Sequence, residues 1–230
     1  VAASGMNVTM VGGFLSSIFG FFLKRQIAIL ASVIGIAFYA VLAGLDAPIV
    51  RASIMGILVF TGQLIGRQTL GVLGLFLSGF AMLFLSPNLI FDVGFQLSFL
   101  ATFGLLYIRP ILEQKGNIKK YLEKSIVGEG VVTTIAAQAG ALPILVSNFG
   151  AYSLWSIVVN GLVFWTIPTL MVVGGVAALF GIILPELGQL ILYVSLPFLL
   201  YFEKVIMFFG KAGGVMALEN IPWQFIVGYY

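Results

Sequence analysis

Charged residues interrupt this chain so rarely that they divide it into long apolar runs. The uncharged stretches cover residues 1–23, 26–45, 52–66, 68–91, 93–108, 130–185 and 187–202. An α-helix needs about 20 mostly apolar residues to cross the hydrocarbon core of a bilayer. The alternating segments of about 10 residues that form membrane β-barrels are absent. The pattern therefore predicts an all-α fold, a polytopic helical membrane protein.

Turn and break residues between the runs predict about eight membrane spans. The predicted spans cover residues 5–23, 27–44, 48–66, 69–86, 93–107, 129–147, 154–183 and 187–209. The seventh span would be about 45 Å long at 1.5 Å per residue, which exceeds the hydrocarbon thickness of about 30 Å. We therefore expect it to be strongly tilted or broken near Pro168. The one polar region, residues 109–124, predicts an amphipathic loop or surface helix.

The distribution of lysine and arginine predicts the orientation of the spans. Cytoplasmic loops of membrane proteins carry an excess of these residues. The first, third and fifth connections hold Lys24, Arg25, Arg67, Arg109, Lys115, Lys119, Lys120 and Lys124, whereas the intervening connections hold at most Arg51. Residues 24–25, 67–68 and 109–125 are therefore predicted to be cytoplasmic, and both ends of the chain extracytoplasmic. Lys211 is the one discordant charge.

Composition narrows the chemistry that the chain can perform. Hydrophobic residues make up 61% of it and charged residues 8%, against about 25% charged residues in a soluble domain. Cysteine and histidine are both absent, which excludes disulfides and thiolate metal sites and removes the commonest metal ligand and general base. We therefore predict no catalytic residues, no metal, no cofactor and no enzymatic activity.

A few polar residues nevertheless lie in or beside the predicted spans. Arg51, Arg67 and Asp92 are near span ends, where the arginines could extend to the interface and the aspartate could cap a helix. Ionisable groups within spans otherwise face the bundle interior or a water-filled path. The same two interpretations, hydrogen bonding between helices or a polar path, apply to the amides of Gln63, Gln96, Gln138 and Asn160.

The most specific pattern is DVGFQLSFLATFGLL, which follows Pro87. It resembles the signature of the ComEC competence family, which looks like a proline, a short apolar gap and then D-x-G-F-Q-L-S-F-x-A-T. The matching positions are Pro87, Asp92, Gly94, Phe95, Gln96, Leu97, Ser98, Phe99, Ala101 and Thr102.

Further pieces of the family pattern follow in the family's order, so the resemblance covers nearly the whole chain. The family's S-G-(M/L)-H element is similar to Ser4, Gly5 and Asn7, with asparagine where many members have histidine. Its P-x-x-R-A-x-x-M element corresponds to Pro48, Arg51, Ala52 and Met55. The segment AQAGALPILVSNFGAYS contributes Gln138, Pro143, Phe149 and Gly150, and a last element contributes Asn160 and Pro168.

The resemblance implies a membrane channel for DNA uptake in natural transformation. It implies a conduit for single-stranded DNA across the bacterial cytoplasmic membrane, with an ATP-driven cytoplasmic motor and DNA-receptor proteins as partners. We expect residues 1–230 to form one transmembrane competence domain, a fragment of a longer protein without its OB-like and metallo-β-lactamase-like nuclease domains. The alternative is a secondary transporter or lipid-handling permease with a small-solute or ion site.

For a channel, the residue chemistry suggests specific roles. Arginine offers a fork of donors to phosphate, and phenylalanine offers a face on which bases stack. The residues expected to line the path or contact DNA are Arg51, Arg67, Gln96, Phe99, Gln138 and Asn160. Asp92 is expected to pair with Arg51 and orient its guanidinium, while Phe99 and Phe103 form the wall below Gln96. The remaining motif positions are expected to be structural: Ser4, Gly5, Asn7, Pro48, Met55, Pro87, Gly94, Phe95, Ser98, Pro143, Phe149, Gly150 and Pro168.

Overall fold

The protein is described here by a computed structural model that covers residues 5–67, 69–114, 126–153, 155–211, 214–217 and 228–229. The chain divides into two compact units, Val1–Tyr107 and Ile108–Tyr230. Ser4, Lys119 and most of the predicted loop at 109–124 lie outside the described residues.

The first unit is built from apolar helices with short connections. They are α1 (Gly5–Phe22), α2 (Arg25–Leu42), α3 (Ala47–Ile65), α4 (Gly71–Leu85) and most of α5 (Val93–Gln114), with a short 3-10 helix at Pro87–Phe91. Pro48 lies in the first turn of α3, where its missing N–H costs nothing. Gly66 ends α3 in the left-handed conformation, with φ of 73°. These bounds agree closely with the first four predicted spans. The fifth begins at residue 93 as predicted but continues seven residues past 107, into the predicted polar region.

The core of the first unit lies where α1, α2 and α3 meet. Its buried residues are Val8, Ile36, Ala40, Ile49 and Ala52. Glycine allows the first two helices to approach closely, because a Cβ on Gly35 would lie 2.3 Å from Leu15 Cδ1. This packing brings the first turn of α1 beside the first turns of α3, as the contact between Gly5 and Ala52 also shows.

The second unit contains the remaining helices and a small sheet. The helices are α6 (Ile126–Phe149), α7 (Ser156–Val163), α8 (Thr166–Ile183) and α9 (Pro185–Lys211). The strands β1 (Ala151–Ser153) and β2 (Val215–Ala217) pair antiparallel, with Tyr152 opposite Met216. The sequence pattern predicts only a connection between the spans 129–147 and 154–183 here, and it does not predict this sheet. Two α-helices, α8 and α9, form a tight hairpin, because a Cβ on Gly188 would lie 2.6 Å from Gly181 Cα.

The overlong seventh span is broken, as its length required. Regular helix stops at Val163 and resumes at Thr166, so the break falls at residues 164 and 165, four and three residues before Pro168. Proline has no N–H to donate to the carbonyl four residues earlier, which here belongs to Phe164. Trp165 occupies the break and contacts Phe198 and Tyr201 of α9.

The helices have the length and surface of a multi-pass membrane protein. Within the described residues, six helices are long and apolar enough to cross a bilayer, and α1 and α4 are shorter apolar helices. Large apolar side chains such as Phe21, Phe80 and Phe84 are exposed on their outer faces. The predicted fold class, an all-α membrane protein with about eight spans, is confirmed.

Candidate functional site

Among the described residues of the first unit, Arg51 is the charged side chain that is buried. It lies one turn into α3, and only 5% of its surface is exposed. Its Nε donates a hydrogen bond of 2.7 Å to Ser98 Oγ, and its Nη1 donates one of 2.5 Å to Thr102 Oγ1. Nη1 also lies 3.8 Å from the sulfur of Met55 on its own helix. Ser98 and Thr102 are four residues apart and share one face of α5, so the guanidinium joins α3 to α5.

Three separate pieces of the sequence pattern converge on this arginine. Gly5 begins α1, and a Cβ placed there would lie 3.5 Å from Ala52 Cβ and 3.9 Å from Arg51 Nη2. A Cβ on Gly94, at the start of α5, would lie 3.6 Å from Pro48 Cδ at the start of α3. The three odd-numbered helices α1, α3 and α5 therefore begin close together. We call the group of Gly5, Arg51, Ser98 and Thr102 the Arg51 cluster.

Asp92 caps α5 and does not form the ion pair expected for it. Its Oδ1 accepts a 2.6 Å hydrogen bond from the backbone N–H of Phe95, as an N-cap aspartate does. Among the described residues, the ion pairs of side chains within 4.0 Å are those of Arg109 with Glu113 and Glu129. The physical reason is local. The carboxylate lies beside the first-turn amides of α5, whereas the guanidinium of Arg51 is directed to the hydroxyls of Ser98 and Thr102 further along the helix.

Gln96 also has a local partner. Its Nε2 donates a 2.7 Å hydrogen bond to the carbonyl of Ile90, in the 3-10 helix that Pro87 begins. The amide therefore fastens the entry of the chain into α5. Asp92 and Gln96 do lie on one face, as their spacing predicted, and both stabilise the same helix start.

The phenylalanines of α5 pack against protein. Phe95 is buried and stacks on Phe99, with ring centroids 6.0 Å apart. Phe99 meets Phe76 of α4 edge to face, and a Cβ on Gly79 would lie 2.9 Å from Phe99 Cε2. Phe99 therefore fills the contact between α4 and α5. Phe103 stacks instead on Tyr107, which is exposed.

Arg67 is not brought to Arg51. It is exposed and follows the last turn of α3, with its backbone N–H bonded to Gly62 O at 2.9 Å. From Arg51 to the end of α3 at Ile65 the helix rises about 21 Å, at 1.5 Å per residue. The two arginines thus lie at opposite ends of one helix, and a single group could not contact both.

The second unit contains a neutral polar cluster around Gln138. Tyr152 donates to Gln138 Oε1 at 2.7 Å, Gln138 Nε2 donates to Ser156 Oγ at 3.1 Å, and Ser156 donates to Tyr152 at 3.5 Å. We call these three residues the Gln138 cluster. Their hydrogen bonds close a ring that ties α6 to β1 and α7. This is hydrogen bonding between elements, the first of the two interpretations that the sequence left open.

The other predicted positions have varied surroundings. Asn160 is exposed on α7, and Phe149 is exposed at the end of α6. Gly150 turns the chain into β1 with φ of 61°, and Pro143 lies within α6. Asn7 lies in the first turn of α1, one residue before the buried Val8.

Sequence reasoning assigned no functional role to Thr102, Tyr152 or Ser156. Thr102 belonged to the matched pattern, and its spacing of four residues from Ser98 was a readable signal for a shared face. Tyr152 and Ser156 carry no such spacing signal, because Tyr152 is on β1, Ser156 is on α7 and their partner Gln138 is on α6. Among the described residues, no three His, Cys, Asp or Glu side chains are grouped so as to hold a metal ion.

Comparison with known proteins places this chain in a family. The family described as Competence protein matches residues 1–230, the whole chain. The chain belongs to the Competence protein family. ComE operon protein 3 of Bacillus subtilis (strain 168) is 27% identical over 161 residues, which cover 70% of this chain and 20% of that protein. The chain thus matches about a fifth of this relative's length. No solved structure matches it.

Proposed function

We propose that this competence-family membrane protein takes part in DNA uptake and conducts single-stranded DNA across the cytoplasmic membrane. Membership of the Competence protein family supports a role in DNA uptake, as does the likeness to ComE operon protein 3. The observation that carries the finer proposal is the Arg51 cluster, in which three pieces of the family pattern meet around a buried cation. A strand that crosses hydrocarbon requires such a cation for its phosphates.

The proposed conduit is passive. The chain has no GxxxxGK[ST] sequence for ATP, so we expect the driving force to come from an ATP-driven motor in the cytoplasm, with DNA-receptor proteins delivering the strand from outside. The alternative, a transporter with an ion site formed by Asp92, Arg51 and Arg67, is less well supported. Asp92 caps a helix and Arg67 lies at the other end of α3.

An uptake experiment tests the proposal. A transformable strain that lacks the gene for this protein is supplied with end-labelled double-stranded DNA, and labelled single strands are measured in the cytoplasm. We expect DNA to remain bound outside the membrane, and uptake to return with the wild-type gene and not with Arg51→Ala. Ser17→Ala is the matched control, because Ser17 donates to its own helix at Gly13 O (2.8 Å). Wild-type amounts of internal strand in the deletion strain would contradict the proposal.

The proposed direction of transport requires the orientation derived from lysine and arginine. The protein has no native cysteine, so single cysteines can be introduced cleanly. An impermeant thiol reagent added to intact cells should label cysteines at Asp46 and Asn148, and should label those at Lys24 and Lys119 only after the cells are opened. Labelling of Lys119→Cys in intact cells would reverse the assignment.

A further inference from the structure

The Arg51 cluster contains hydrogen-bond donors in excess of acceptors. Arg51 donates to Ser98 and Thr102 through Nε and Nη1, while Nη2 has no hydrogen-bond partner among the described residues. The hydroxyl protons of Ser98 and Thr102 likewise have no acceptor there. The cluster therefore presents one NH2 group, with two N–H donors, and two O–H groups that are free to donate.

A hydroxyl proton without an acceptor is unusual for the serines and threonines of these helices. A serine or threonine in a helix commonly donates to the carbonyl three or four residues earlier. Thr9, Ser32 and Thr134 do so, at 2.9, 2.8 and 2.8 Å. Ser98 and Thr102 make no such bond in the described part of the chain, although Gly94 and Ser98 precede them at the required spacing. Both hydroxyls are turned to the arginine and keep their protons available.

The charge of Arg51 is also uncompensated. No carboxylate among the described residues lies within 4.0 Å of it, whereas Arg109 has both Glu113 and Glu129 as partners, at 2.6 and 3.2 Å. A buried cation without a counter-charge is unfavourable, because neutral hydroxyls replace only part of its hydration. An anion at this place would recover that cost.

The free end of the guanidinium is not fully enclosed. Ser53 Oγ is the one fully enclosed side-chain nitrogen or oxygen without a hydrogen-bond partner in the described residues, so Nη2 is not sealed in. Gly5 lies beside it, and any larger side chain at that position would extend towards Nη2, since even a Cβ would come within 3.9 Å. Among the described residues, Gly5 thus places no side chain over that end of the arginine.

We propose that Arg51 Nη2 and the hydroxyls of Ser98 and Thr102 form a binding site for one phosphodiester oxyanion. A phosphodiester oxygen accepts hydrogen bonds and donates none, which matches a cluster that only donates. Base edges carry donors as well as acceptors and fit it less well. The proposal rests on the proposed function for its source of phosphodiester, a DNA strand, although a phospholipid headgroup has the same chemistry.

Binding to the purified full chain in a phosphate-free detergent tests the site. The probes are a fluorescent oligothymidine of about 16 nucleotides, its uncharged methylphosphonate analogue, and phosphatidylglycerol as competitor. We expect Arg51→Gln to weaken binding of the phosphodiester probe about tenfold or more. The double variant Ser98→Ala/Thr102→Val should weaken binding several-fold. The single variant Thr102→Ser keeps the hydroxyl and should bind the probe as the wild type does. Thr133→Val is the matched control, because Thr133 donates to Glu129 O in its own helix at 2.8 Å.

The probes separate the outcomes. Equal binding of the methylphosphonate probe to wild type and Arg51→Gln, with loss of the phosphodiester probe, supports the site. Arg51-dependent binding of phosphatidylglycerol alone also supports it, and assigns it to a lipid headgroup. Unchanged binding of both phosphodiesters by Arg51→Gln and by the double variant overturns it. If the wild-type gene still restored uptake in the deletion strain, that result would contradict the site and leave the proposed function intact. If uptake did not depend on the gene, only the proposed function would be contradicted.

Discussion

The Arg51 cluster and the Gln138 cluster both use polar side chains to join neighbouring elements inside an apolar unit, but they differ in hydrogen-bond balance. In the Gln138 cluster, each of the three side chains both donates and accepts, and the ring is closed. In the Arg51 cluster, both bonds to hydroxyls are donated by one cation, and the hydroxyl protons remain free. A closed neutral ring stabilises the fold by itself, whereas an open cationic cluster is stabilised by a ligand.

The comparison predicts opposite results for the two clusters. Replacing Arg51 by the apolar Met should lower DNA uptake about 10- to 100-fold, because charge-assisted hydrogen bonds to a ligand contribute about 1.5–3 kcal/mol. The thermal stability of the purified protein should be kept or raised, since a buried charge without a counter-charge has been removed. Uptake and the unfolding temperature of the same variant are measured. A large fall in stability with normal uptake per folded molecule would make Arg51 a structural residue.

For the Gln138 cluster we expect the reverse. Gln138→Leu leaves Tyr152 and Ser156 without their amide partner, which should cost about 1–3 kcal/mol of unfolding free energy. Uptake normalised to the amount of folded protein in the membrane should change less than about twofold, which corresponds to about 0.4 kcal/mol. Tyr152→Phe is the milder companion variant. Loss of uptake at full stability would show that this cluster, too, contacts the strand.

Substitutions of Asp92 distinguish a helix-capping role from an ion pair with Arg51. Asparagine caps helices as well as aspartate, whereas alanine costs about 1 kcal/mol. Asp92→Asn should therefore leave stability and uptake nearly unchanged, and Asp92→Ala should lower stability by about that amount. In a double-mutant cycle with Arg51→Gln the effects should add, because the two side chains share no bond. Strong non-additivity would restore the ion pair expected from the sequence.

Substitutions of Gly5 are expected to have the smallest effect on uptake, and they test access to Nη2 of Arg51. Its Cβ position lies in ordinary contact with Ala52, at 3.5 Å, so Gly5→Ala should change stability by less than about 1 kcal/mol. The bulkier Gly5→Leu should lower uptake by covering Nη2 of Arg51. The same substitution at Gly13, which has open space around its Cβ position, serves as control. Equal uptake by both leucine variants would show that access past Gly5 is not needed.

The sequence by itself determined the fold class and most of the helix bounds. Long uncharged runs, Pro48 in a first turn and Gly66 at a helix end act locally, through hydrophobicity and backbone conformation, so they can be read without a structure. The break before Pro168 could be predicted for the same reason, since span length and a missing N–H are properties of the chain itself. The resemblance to the competence family was likewise carried by residues in order, and the family match confirms it.

Only the tertiary structure decided which polar groups meet. The sequence placed Asp92 and Arg51 on the same predicted side, but a side chain chooses among all donors and acceptors within a few ångströms, and the first-turn amide of Phe95 was the nearest for Asp92. Arg51 turned to Ser98 and Thr102, 47 and 51 residues away in sequence. Such pairings depend on helix rotation and packing distance, and at the starts of α3 and α5 the close approach of Gly94 to Pro48 is part of that packing. The periodicity of one helix contains no information about the rotation of its neighbour.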